Sequence, residues 1–195
     1  MRLGVLVSGT GTNLQAMIDA GLPVAVVVSD RHGVGALDRA AAAGIPTVVI
    51  DRREYLPDRR ETFTHAVVDA LAAHDVRLVA NAGFMTILTK AMVDAYEGRW
   101  VNTHPSLLPA FPGSHAVEEA LQAGVKVTGC TIHLTVEEVD AGPIVAQEAV
   151  PVLDGDTVET LHDRIKAVEH RLYPRVLAEM LDRLGRPDAP EGPTP

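Results

Sequence analysis

The sequence contains a single cysteine, Cys130, among its 195 residues. No intramolecular disulfide can form within it, and a reducing compartment fits that composition. It also has no apolar run near the roughly 18 residues that a membrane-crossing helix needs. Basic residues are scarce relative to acids, 17 Lys and Arg against 26 Asp and Glu, for a formal net charge of −9. This argues against a nucleic-acid surface, which normally presents a basic face. It does not argue against a small phosphorylated ligand, because a few backbone N–H groups hold a phosphate locally. The N-terminus enters a strand pattern at once, without the cleavage region of a signal peptide, so a soluble cytoplasmic protein is expected.

What the chain does have is the stretch Val101-Asn102-Thr103-His104-Pro105-Ser106-Leu107-Leu108-Pro109. An apolar run ends in an amide, a hydroxyl and an imidazole, followed by two prolines that restrict the backbone. In an extended chain Asn102 and His104 leave the same face, with Thr103 opposite. A hydrogen-bond donor thus stands beside a titratable base at a strand end.

Earlier in the chain, Arg2 to Val7 reads as a buried strand that stops at Ser8-Gly9-Thr10-Gly11-Thr12-Asn13, and a helix pattern follows. Strand, glycine loop and helix make the layout of a phosphate site, with free N–H groups at the helix start. Thr12 or Asn13 is expected to cap that helix or to meet the phosphate. Leu14 stands where a dinucleotide fingerprint needs its third glycine, and no Gly-Lys-Ser/Thr follows, so a monophosphate is the better fit. Pro23 to Ser29 and Thr47 to Ile50 read as further strands around an alanine-rich helix, with Asp30 as a turn residue. Asp58 is a plausible cap for a helix from Arg59 to Ala73. Leu78 begins a fourth strand, and the run Gly83-Phe84-Met85-Thr86-Ile87-Leu88 is either core or a pocket wall, the pattern alone favouring core.

Strand-helix alternation through residue 103 predicts an α/β fold with an open, mainly parallel twisted sheet, helices on both faces, and a crevice at the strand C-termini. The C-terminal half adds two strands expected to run antiparallel, a pattern from Val125 to Val136 and another from Ile144 to Val150. The alternation there puts His133 on an exposed sheet face. The turn between these strands, Glu137-Glu138-Val139-Asp140-Ala141-Gly142-Pro143, bends tightly enough to aim the Asp140 carboxylate inward. A long helix from Thr157 to Leu184 carries an apolar stripe, with Glu169 one position from it and Pro174 as a potential kink. Residues 1–184 are expected to form a single domain, and the proline-rich tail 185–195 to be disordered.

Three segments together, Ser8-Gly9-Thr10-Gly11-Thr12-Asn13-Leu14-Gln15, Asn102 through Pro109, and Asp140-Ala141-Gly142-Pro143-Ile144, resemble the folate-dependent phosphoribosylglycinamide formyltransferase family. Ala82-Gly83-Phe84-Met85 and Glu169-His170 match as well. The resemblance implies a Rossmann-like formyltransferase fold. It also implies transfer of a formyl group from 10-formyltetrahydrofolate to the amine of glycinamide ribonucleotide in purine biosynthesis, without a metal or a covalent enzyme intermediate. It assigns catalysis to Asn102, His104 and Asp140, the substrate phosphate to Gly11, Thr12 and Asn13, and the amine and ribose side to Glu169. The folate pocket falls to Arg60, Met85, Thr86, Ile87, Leu88, Asn102, Val139 and Asp140. Thr86 stands where the family commonly has arginine, and Ala110 where it often has lysine.

Partners are expected to be these small molecules, with neither nucleic acid nor membrane involved, in a monomer or homodimer. Two alternatives stay open, a 10-formyltetrahydrofolate hydrolase and a catalytically silent nucleotide-binding module. A methionyl-tRNA formyltransferase would need a second, tRNA-binding domain and a more basic surface.

Overall fold

Valine-rich runs become the central strands of the computed structural model, which describes residues 1–186. The proline-rich segment expected to be disordered lies, from residue 187 on, outside the described residues. Strands β1 (Leu3–Val7), β2 (Val24–Ser29), β3 (Thr47–Val49), β4 (Leu78–Asn81), β5 (Trp100–His104), β6 (Val127–Leu134) and β7 (Ile144–Pro151) form one seven-stranded sheet in the order β3-β2-β1-β4-β5-β6-β7. The first five are parallel to one another. β6 and β7 run antiparallel and complete the sheet beyond β5. The mainly parallel sheet with antiparallel additions is the architecture the strand pattern predicts.

Helices α1 (Thr12–Asp19), α2 (Gly35–Ala42), α3 (Arg60–Ala72), α4 (Lys90–Ala95), α5 (Ala116–Gln122) and α6 (Val158–Leu184) cover the sheet. Alternation along each strand divides the core in two. Val5, Val7, Val27, Ala80, Val101 and Ile132 pack with Leu14, Met17, Leu161, Ile165 and Tyr173 of α1 and α6. Leu6, Val26, Val28, Val79 and Trp100 pack on the other face with Phe63, Val67 and Met92 of α3 and α4. Burying each such large side chain contributes about 1.5–3 kcal/mol, which is why both faces read as near-continuous apolar runs.

The helix α6 begins at Thr157, whose side chain caps Thr160 N–H while Thr160 Oγ1 returns the bond. The helix then runs on through Pro174 to Leu184. Its Tyr173 is fully buried, and its hydroxyl is shared between the Asn81 and Val101 carbonyls at 3.0 and 2.8 Å. This pins α6 to the end of β4 and the first half of β5. Two expected caps are not used. Arg59, not Asp58, is the N-cap of α3, and Gly11, not Thr12 or Asn13, is that of α1.

Candidate active site

β1 delivers the glycine loop to the C-terminal edge of the sheet. Gly11 adopts φ +75°, and a Cβ there would lie 2.6 Å from both Cα and Cβ of Ala36. Only glycine serves at a left-handed position pressed this closely on α2. The loop is also clamped from α2 by hydrogen bonds. Ala36 N–H donates to the Gly9 carbonyl at 3.1 Å, and Arg39 Nε to the Thr10 carbonyl at 2.9 Å. With Gly11 as N-cap and no side chain capping α1, the first-turn amides are left for an anion. Asn13 Oδ1 is buried without a hydrogen-bond partner among the described residues.

β5 carries the second group. Trp100, Asn102 and His104 face the α3–α4 side, as alternation requires, and Thr103 faces α6. Asp140 reaches His104 from the β6–β7 turn. Its Oδ2 lies 3.3 Å from His104 Nδ1 and accepts the Gly113 N–H at 2.8 Å, and its Oδ1 accepts from Asn102 Nδ2 at 3.5 Å. The carboxylate is almost wholly inside, its side chain only 8% exposed. Two backbone features allow this. Asp140 itself takes φ +56°, an uncommon conformation that Asp tolerates better than most residues. Gly142 then passes so close to β6 that a Cβ would sit 1.7 Å from the Leu134 carbonyl oxygen. A side chain at 142 would push the turn outward and take the carboxylate with it.

His133 completes the cluster, contrary to its expected place on an exposed face. It is 1% exposed, and its Nε2 lies 3.1 Å from Asn102 Nδ2 and 3.5 Å from Asp140 Oδ1. The alternation was correct, but the face is covered by the 137–143 turn. β6 pairs Asn102 directly with His133, and the ladder to β7 slips between Ile132 and His133, an irregularity of the kind that re-aims side chains beside active sites. His133 Nδ1 meets the Leu134 carbonyl at 2.9 Å, so it carries the proton. Its Nε2 accepts an amide proton from Asn102 in the neutral ring and donates to Asp140 Oδ1 in the imidazolium.

His104 is placed between two acceptors. Nε2 lies 2.7 Å from the Phe111 carbonyl, and Nδ1 faces Asp140. Both ring nitrogens are satisfied as donors in the imidazolium form. Burial works against charge on Asp140. The His133 ring, the Gly113 N–H and the electrostatic pull of both histidines outweigh it and hold the carboxyl below its usual range.

The remaining expected residues divide. Glu169 is buried on α6 and accepts the Thr103 hydroxyl proton at 2.7 Å, so it stands against the opposite face of β5 from the imidazoles, on the same side as α1. After β4, Met85 and Ile87 are 65% and 55% exposed while Thr86 and Leu88 are 7% and 8% exposed. The run is therefore part anchor and part exposed wall. The Thr86 hydroxyl points inward to Asp30, a turn residue that is fully buried. Val139 is half exposed beside Asp140, and Arg60 is exposed at the start of α3. Sequence reasoning missed His133 as a site residue and Asp30 as a buried one. Pairing His133 with Asn102 across β5 and β6 would have found the first.

Comparison with known proteins follows the same lines. A formyl transferase family model matches residues 1–177. The chain is 49% identical over 183 residues to the chicken trifunctional purine biosynthetic protein adenosine-3, an alignment that takes in 91% of this chain and 18% of that protein. The chain thus spans under a fifth of the length of such multifunctional relatives. It is 46% identical over 183 residues to the phosphoribosylglycinamide formyltransferase of Mycobacterium tuberculosis, covering 92% of this chain and 84% of the other. The solved phosphoribosylglycinamide formyltransferase of Bacillus halodurans superposes with a TM-score of 0.88 at 43% identity, over 93% of this chain and 95% of that one. Glycinamide ribonucleotide transformylase 1 of Symbiobacterium toebii gives 0.86 at 48%, over 90% and 85%. The glycine loop after β1, the amide and imidazoles on β5 and β6, and the inward carboxylate between β6 and β7 are thus set in a fold held in common, and the chain belongs to the formyl transferase family.

Proposed function

We propose that this protein transfers the formyl group of 10-formyltetrahydrofolate to the amine of glycinamide ribonucleotide, with residues 1–184 acting as one formyltransferase domain. The observation that carries the reading is the convergence of Asn102, His104 and Asp140, with His104 Nδ1 3.3 Å from the carboxylate. The uncapped α1 start holds the ribonucleotide phosphate two strands away, on the order of 10 Å at the usual strand spacing. The buried carboxylate of Glu169 on that side takes the amine or ribose.

Formyl transfer starts with attack of the amine on the formyl carbonyl. The carbonyl oxygen becomes anionic, the nitrogen of the folate must gain a proton to leave, and the attacking nitrogen must lose one. His104 supplies the first need. Its Nε2–H is held by the Phe111 carbonyl, and the developing oxyanion, a stronger acceptor, takes that bond in its place. Asn102 turns to the oxyanion the amide proton that Asp140 holds only at 3.5 Å. Each such donor, preorganised in a dry site, contributes about 10²–10³ in rate. Asp140, kept ionised by its neighbours, steadies the imidazolium and relays the proton from amine to leaving nitrogen, directly or through water. On the donor side, the exposed Met85 and Ile87 side chains, the backbone of Thr86 and Leu88, Val139 and Arg60 receive the folate.

The test is an absorbance assay for tetrahydrofolate release, run with and without glycinamide ribonucleotide. Release only in its presence is the expected result. Equal release without it would make water the acceptor and the protein a hydrolase, and binding of the ribonucleotide without any release would make it a silent binding module.

A further inference from the structure

Asp30 directly follows β2 with no exposed surface, outside the catalytic cluster and unused in the chemistry above. A carboxylate so buried is costly unless each of its lone pairs finds a partner. The partners come from two segments of the proposed folate site. Thr86 Oγ1 donates to Oδ2 at 2.7 Å. Arg52 Nη1 lies 3.7 Å from the same oxygen, and Arg52 N–H donates to the Asp30 carbonyl at 3.0 Å. Arg31 Nε closes the set on Oδ1 at 3.1 Å. Thr86 belongs to the 85–88 wall, and Arg52 opens the segment that leads to Arg60. One residue away, Met85 N–H donates to Ser8 Oγ at 2.9 Å, so the wall hangs from the ends of both β1 and β2. These anchors give the wall its alternation, with Thr86 and Leu88 turned in and Met85 and Ile87 turned out.

We propose that Asp30 is a positioning residue for the formyl donor, acting through Thr86 and Arg52 to hold the 85–88 wall and the 52–60 segment in register. This rests on the folate reading of that wall. A buried ionic cluster is a poor source of net stability, since apolar replacements often do as well; placement is what it supplies.

The experiment compares Thr86→Val, which keeps shape but removes the hydroxyl, with Thr86→Ser and Asp30→Asn, varying each substrate in turn. Losing a hydrogen bond to a buried charge should raise KM for 10-formyltetrahydrofolate about tenfold in Thr86→Val. KM for glycinamide ribonucleotide and kcat should move far less, Thr86→Ser should restore the donor KM, and Asp30→Asn should follow Thr86→Val. Hydrogen exchange at the 85–88 amides should quicken in Thr86→Val alone of the two Thr86 variants. An unchanged donor KM with unchanged exchange would overturn the proposal, as would a parallel rise in both KM values. If the unaltered protein shows no ribonucleotide-dependent release, the functional reading itself fails and the proposal goes with it. A donor KM unmoved by Thr86→Val in an active protein refutes the positioning role alone.

Discussion

The loop after β1 and the cluster after β5 lie at the same edge of one sheet, yet they are built by opposite means. The first works by leaving things out. Gly11 has no side chain because Ala36 leaves no room for one, and α1 has no capping side chain, so bare amides remain. The second works by crowding. Two imidazoles, an amide and a carboxylate are packed until nearly every polar atom has an internal partner. A phosphate needs only fixed dipoles, which are part of the backbone. Moving a proton needs groups that titrate, and those must be brought together and held against the cost of burial.

The contrast predicts where damage shows. Asp140→Asn should give the largest effect. It keeps the shape but leaves His104 without its counter-charge and the proton without a carrier, so kcat should fall by about 10³ or more, with KM for both substrates little changed. The same variant carries a stability signature. Because the Asp140 carboxyl is held below its usual range, its contribution is present at pH values above the unfolded carboxyl's range and is lost as pH falls through the lowered folded value. Denaturant midpoints of the parent and Asp140→Asn should therefore differ at neutral pH and converge in acid. A constant difference across pH would mean that the carboxylate is not held by charge. His104→Ala should follow, with kcat down about 10²–10³ through loss of the oxyanion donor. A variant retaining near-parental turnover at saturation would remove His104 from the chemistry.

Gly11→Ala tests the other mode. A left-handed φ costs an L-residue about 1–2 kcal/mol, and the added Cβ must also displace Ala36. Here the expected loss is in thermal stability and in KM for the ribonucleotide, with kcat of the remaining folded enzyme largely kept. A fall in kcat at unchanged KM would show that the two ends of the crevice are not separable in this way.

These differences also explain what could be read from the chain. The glycine loop is local, with strand, turn residues and helix start contiguous in sequence, so its layout was legible, although the cap falls at Gly11, one or two residues before Thr12 and Asn13. The parallel strands were legible for the same reason, as runs of valine covered on both faces. His133 was not, because period-2 alternation tells which face a side chain takes but not what covers that face. The cover is the 137–143 turn, admitted only because Gly142 lets the chain touch Leu134. Asp30 does lie in a turn, as expected, but its burial was not legible. Next to arginine and histidine it reads only as a turn residue, and the hydroxyl that draws it inward lies 56 residues away in Thr86.

The smallest predicted effect lies on the exposed side of the 51–60 segment and sets the scale for the others. Asp51 sits in the charged 51–60 segment, where hydrogen bonds from Arg53 hold its carboxyl down to about 2. Arg53 is itself mostly exposed, so solvent screens the pair and its worth is slight. The sign is nonetheless fixed. A lowered folded value means a contribution present above the ordinary carboxyl range, near pH 4, and lost as pH falls toward 2. Arg53→Ala should thus lower the thermal midpoint slightly at neutral pH and not at all in strong acid, with both KM values unmoved. If it instead raised KM for 10-formyltetrahydrofolate as Thr86→Val is expected to, the whole 51–60 segment, and not only its contacts with Asp30, would be holding the donor.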